Sequence, residues 1–285
     1  EESSESELEY VTLQYAGEGI KTQNAFPKSI KHSVFRKVGL DGINAYLFNG
    51  SYPALELVGN SITQGSGVAV KLTIAENASV PSITFRENEI SFFYGSAFII
   101  EGDGGEIVNP PDTIIFEHNI FEKGYRGAGG GFSGVGNVLY TNNLNREGVS
   151  GSGLQVFYPN NEITHNYFAF TTENAFQLNG ARPDLRAMRG PGNTVFTYNT
   201  VKHGGIQSDM GDETTIVEQN NFAFPASAQY WAWGMDKASG IVSRMKNNWW
   251  GTADVVEIRK HIIDGRLGEG YANDYSVLEI EPVLV

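Results

Sequence analysis

The chain has 285 residues, no cysteine and a formal net charge of −13. The missing cysteines exclude disulfides and thiolate metal sites. The acidic balance and the lack of a phosphate-neutralising basic face argue against a nucleic-acid partner. No apolar run is long enough to span a bilayer, and no signal-peptide pattern is recognisable. Charged residues make up 19% of the chain, below the roughly 25% of ordinary soluble domains, while Gly (34) and Asn (24) are over-used. Both residues suit a fold full of tight turns.

In chain order, the acidic opening Glu1-Glu2-Ser3-Ser4-Glu5-Ser6-Glu7 has no initiator Met and reads as a processed form or a piece of something longer. The first rung then begins at Leu8-Glu9-Tyr10-Val11-Thr12-Leu13. A β run, a polar turn residue and a second apolar pair recur from there. The turn residues are Ser33, Asn60, Asn88, Asn119, Asn142, Asn166, Asn199, Asn220 and Asn247, spaced 21 to 33 residues apart. The unequal spacing rules out a strict-period solenoid and is what constant strands joined by loops of variable length produce; the recurring phrase itself reads as the rung of a β-solenoid. Asn suits a sharp turn because it accepts left-handed backbone angles, and stacked amides can bond from coil to coil.

A third run in each unit opens on Gly or Ala. Period-two alternation turns Ile20, Ile43, Val68, Phe98, Leu154, Phe176 and Ile206 towards a shared core. Past the last rung, Val255, Ile258 and Ile262 fall at helical spacing. Thr252 is the expected N-cap, Asp254 lies in the first turn and Gly265 can end the helix. Ser276–Pro282 reads as a final strand.

From roughly residue 6 to residue 250 this pattern resembles the right-handed parallel β-helix repeats of the pectate-lyase-like superfamily. Asn247-Asn248-Trp249-Trp250-Gly251-Thr252 is similar to the closing motif of bacterial extracellular β-helix proteins. The expected fold is all-β: a right-handed parallel β-helix of about nine or ten coils with an Asn ladder. Residues 1–252 form the solenoid and 253–285 a helix-strand cap of the same domain, with Trp249 and Trp250 closing the open end of the core. The resemblance implies a secreted or cell-surface protein, a monomer or part of a longer chain, whose site lies on the sheet of Gly/Ala-opened strands.

Outward positions there are expected to form two rows. One holds Lys21, Asn44, Ala69, Ile99, Ser133, Gln155, Gln177 and Gln207; the other holds Gln23, Tyr46, Lys71, Glu101, Phe157, Asn179 and Asp209. Amides beside an aromatic suit hydroxyl-rich ligands, although outward amides also stack simply to stabilise a sheet. Gln155, Phe157, Gln177, Asn179, Arg182, Arg186 and Gln207 are therefore the glycan-binding candidates. The arginines of the Gly180–Gly192 loop could clamp uronic-acid carboxylates or pair locally with Glu173, Asp184 or Asp212. Asp103 with Glu106, and Asp209 with Asp212, offer oxygens to Ca²⁺ without the spacing of an EF-hand loop.

Two functions remain open. One is a glycan-binding or spacer module of a larger secreted or cell-surface protein. The other is an enzyme, either a lyase on acidic polysaccharide with Arg182, Asp209 and Lys71 as catalytic candidates, or a glycoside hydrolase. Glu101 and Asp209 fall four coils apart, about 19 Å, too far for a paired-carboxylate hydrolase.

Overall fold

The computed structural model describes residues 6–103, 111–124, 130–133, 135–146, 154–156, 160–169, 183–187, 193–202, 206–210, 216–224, 231–234, 242–264 and 277–284. Three parallel sheets of eleven, nine and ten strands run the length of the chain. Each coil lends one short strand to each sheet in turn, so sequence neighbours never pair and every hydrogen-bonded partner belongs to the next coil. Sheet A holds the strands before the turn residue, such as Thr113–Glu117; sheet B holds those after it, such as Ile120–Glu122; sheet C holds the third run, such as Phe98–Gly102. The fold is an all-β parallel solenoid with one short helix among the described residues. No helix among them is long and apolar enough to cross a membrane.

The interior is a column of stacked side chains. Phe85 and Phe116, from adjacent sheet A strands, stack at 4.7 Å with rings 6° from parallel. Phe98 of sheet C lies 4.4 Å from Phe116, and Phe121, Tyr140 and Phe168 continue the file. A single coil could not cover such rings; stacking buries them completely.

The ladder is present, with its register corrected at two rungs. Asn143 and Asn248 are the buried members, not Asn142 and Asn247. The file reads Ser33, Asn60, Asn88, Asn119, Asn143, Asn166, Asn199, Asn220 and Asn248. The left-handed residue is the one before each rung: His32, Gly59, Glu87, His118, Asn142, His165, Tyr198, Gln219 and Asn247 all have positive φ. Left-handed angles cost non-glycine residues about 1–2 kcal/mol. The buried amide that follows offsets this with its hydrogen bonds. Asn is thus selected here for its donors and acceptors, and the strained corner tolerates His, Glu, Tyr or Gln. Gly59 is a special case, because a Cβ there would come within 2.7 Å of the His32 ring.

Sheet C departs from the expected alignment at two coils. Val70, not Val68, pairs with Ile43 and Phe98 and turns inward. In the later coil the strand paired with Leu154–Val156 is Pro183–Ala187, with Pro183 opposite Leu154, and Phe176 lies outside the described residues. Loops of unequal length precede these strands, and a Gly or Ala opener does not fix where pairing begins.

At the C-terminal end Trp250 is fully buried, 4.7 Å from Phe222, while Trp249 is half-buried and bridges Asn221. The helix is only Val255–Arg259. Asp254, not Thr252, is its N-cap and accepts from the Val256 and Glu257 amides; Thr252 instead accepts from the Asp254 amide. Ile262 has left the helix for a strand, Ile262–Ile263, that extends sheet C. Val277–Glu279 extends sheet A. Buried Asp264 ties the two together: it accepts from the Leu278 amide at 3.0 Å and lies 3.6 Å from the Arg259 guanidinium.

Candidate functional site

Parallel pairing fixes which positions of sheet C are neighbours. The first row runs Lys21, Asn44, Lys71, Ile99, Gly131, Gln155, Asp184, Gln207 and Trp233. Lys71 therefore takes the place expected of Ala69, and Gly131 that of Ser133. The second row holds Gln23, Tyr46, Thr73, Glu101 and Ser133, and further along it Arg186 beside Asp209. Asp184 occupies the position expected of Gln177. Gln155, Arg186, Gln207 and Asp209 are placed by backbone register alone. Phe157, Gln177, Asn179, Arg182, Glu106 and Asp212 lie outside the described residues.

Tyr46 and Phe48 form a stacked pair with centroids 6.0 Å apart, and Phe48 is exposed. The Tyr46 phenol donates to Asp103, which follows a strand two coils away, and that hydrogen bond holds the phenol above its ordinary pKa. Asn24 accepts from the Phe48 amide at 3.1 Å. Lys71 donates its ammonium to Glu101 at 3.0 Å, and Thr73 donates to the same carboxylate oxygen at 3.1 Å. The surface is thus an aromatic pair bordered by carboxylates, amides and a matched ion pair. It has little net charge to offer a uronate, because the Lys71 cation is already met by Glu101. Among the described residues no three histidine or carboxylate side chains converge on a metal position. Asp103 follows a strand four coils from that of Asp209, so these carboxylates belong to separate places on the sheet.

Sequence reasoning missed Tyr46 with Phe48 as a unit. The available signal was two aromatics two residues apart, which on one strand share a face. It also passed over the surface of sheet B as a whole, where several long side chains stand three or four positions beyond a ladder residue. Arg36, Lys37, Phe92, Lys123, Arg146 and Lys202 fall there.

No family model matches the chain, and no curated protein matches it. One similar solved structure is that of a trypsin-treated variant of QnrB1, a plasmid-mediated fluoroquinolone resistance protein. The likeness covers 96% of this chain and 92% of that one at 10% identity, with a TM-score of 0.24. The solenoid assignment rests on the strand pairing of this molecule and not on that likeness.

Proposed function

We propose that this chain is a carbohydrate-binding β-solenoid module of a secreted or cell-surface protein, of the pectate-lyase-like type that its repeats resemble. The observation that carries the reading is the stacked Tyr46–Phe48 pair on sheet C, bordered by Asn24, Lys71, Glu101 and Asp103. Sugar rings present apolar faces to aromatics and hydroxyls to flanking carboxylates and amides. A rigid stack of short strands holds these groups at fixed spacing, which lowers the ordering cost of binding. The test is retention of the full chain on immobilised neutral and acidic oligosaccharides. The double variant Tyr46→Ala/Phe48→Ala is expected to bind about tenfold more weakly, as loss of a central aromatic anchor does. Retention on no glycan at all would sink the proposal.

One observation favours a second reading, a lyase acting on uronic-acid polymers: the register sets Arg186 beside Asp209 on adjacent sheet C strands. Lys71 is the weakest of the catalytic candidates, since Glu101 engages its ammonium. Ca²⁺ at Asp103 or Asp209 belongs to this reading. Absorbance of unsaturated products from pectate or alginate, measured with and without Ca²⁺, decides it. A flat trace on every substrate removes the lyase.

A further inference from the structure

The charge of this molecule is not spread evenly over its three faces. The described strands of sheet A carry seven glutamates and three basic residues. Those of sheet B carry four basic residues, Arg36, Lys37, Arg146 and Lys202, and two acidic ones, Glu89 and Glu122. Lys123 directly follows the strand Ile120–Glu122. Glu122 is itself neutralised: Arg146 donates to it at 2.6 Å and Lys123 lies 3.8 Å away. Among the described residues Arg36, Lys37 and Lys202 have no carboxylate partner. A chain of net charge −13 therefore presents a cationic strip.

Aromatic rings interleave with those cations. At the edge of sheet B, Tyr15, Lys37, Gln64, Phe92 and Lys123 occupy the same place in five successive coils, and all five have positive φ. Left-handed corners of this kind push their side chains out of the sheet. Tyr15 is 74% exposed and Phe92 50%. The Lys37 ammonium sits 4.9 Å from the Tyr15 ring centroid, and the Lys123 ammonium 4.8 Å from that of Phe92. Two cation–aromatic couples thus repeat at an interval of three coils, about 14 Å at the strand spacing.

We infer that this edge of sheet B is a docking strip for an anionic linear polysaccharide lying along the solenoid axis. Its rings meet sugar faces, and Arg36, Lys37 and Lys202 meet carboxylate or sulfate groups. The strip is separate from the Tyr46–Phe48 surface on sheet C, where the local cation is already matched by a carboxylate. It extends the glycan-binding reading without sharing residues with it.

The test is titration of the full chain with polygalacturonate, neutral dextran and poly-aspartate, followed by calorimetry at low and raised salt. Asn tolerates the left-handed corner, so Lys37→Asn/Lys123→Asn and Tyr15→Asn/Phe92→Asn keep the backbone; unchanged thermal melting confirms it. Salt-sensitive binding of polygalacturonate is expected, weakened about tenfold by either pair. Equal affinity for poly-aspartate would overturn sugar recognition at the strip. Polygalacturonate binding that ignores both pairs but falls with Tyr46→Ala/Phe48→Ala overturns the strip and leaves the glycan-binding proposal standing. Binding of dextran alone does the same. Binding of no polymer, here and on the oligosaccharide panel, overturns both.

Discussion

The side-chain amide of Asn119 donates to that of Asn143 at 2.9 Å, and the Asn119 backbone N–H donates to the same oxygen at 2.9 Å. One carbonyl oxygen thus receives two hydrogen bonds from the coil before it. The Asn143 amide nitrogen in turn donates to Phe116 O and to Asn166. With four hydrogen bonds and 2% exposure, the Asn143 side chain has no spare capacity. Asn143→Ala would leave two donors of Asn119 and the Phe116 carbonyl short of partners in the interior. The expected cost is on the order of 3 kcal/mol or more. Its neighbour Asn142, exposed at the left-handed corner, should lose only about 1 kcal/mol on replacement by Ala. Denaturant midpoints of the two variants decide which of the adjacent asparagines is the rung.

That pair also shows what a sequence can and cannot convey here. The recurrence of Asn before apolar pairs is legible because every interior amide needs partners, which restricts the residue type. Where two asparagines are adjacent, type alone cannot choose, and the sequence reading falls one residue early at Asn142 and at Asn247. In sheet C the inward file is legible where loops keep their length, as from Ile20 to Ile43. It slips by two at Val68 because strand pairing, and not the opening glycine, sets the register. The surfaces are least legible. Outward residues are not constrained by packing, so Tyr46 with Phe48 and the Lys37–Lys123 file stand out only once coils are superposed. Family resemblance points to sheet C and is silent on sheet B.

Tyr140 and Asn145 form a polar couple inside the apolar column, with the phenol donating to Asn145 at 2.7 Å. Burial pushes the Tyr140 phenol far above its ordinary pKa, with the hydrogen bond to Asn145 acting the other way. Among the described residues the Asn145 amide nitrogen has no partner. Asn145→Leu alone strands the hydroxyl and is expected to cost about 1–3 kcal/mol. Adding Tyr140→Phe should recover most of that loss, since an apolar pair of similar volume leaves nothing unsatisfied. A double-mutant cycle in denaturant measures the coupling.

Trp250 closes the column, with no exposed surface and with Phe222 and Phe224 against it. Trp250→Ala opens a large cavity and is expected to cost about 3–5 kcal/mol. Trp250→Phe should cost less, because it also deletes an indole N–H that has no partner among the described residues. Half-buried Trp249 should be the milder site. Thermal melting of the three variants gives the order.

Glu257 accepts a 2.6 Å hydrogen bond from Lys260, which together with the Lys260 charge and a contribution from His261 holds its carboxyl below the ordinary value of 4.5. A lowered carboxylate pKa contributes stability above 4.5, and this is lost as pH falls through the lowered value. NMR titration of the Glu257 carboxyl should show a midpoint below 4.5 that moves upward in Lys260→Ala. An unmoved midpoint would show that the pair is not formed in solution.

The ladder has a direction. From Asn60 to Asn220 each rung hands an amide hydrogen to the rung on its C-terminal side, and Asn248, the last rung among the described residues, donates to Val217 O and Met245 O, each 2.7 Å away. Such a chain can be lengthened or shortened by one complete unit at any link without orphaning a group, but never by a fraction of one. Duplication or deletion of a full coil is therefore the cheap evolutionary step for this architecture. Insertions of any other size are driven into the loops, where lengths do in fact vary.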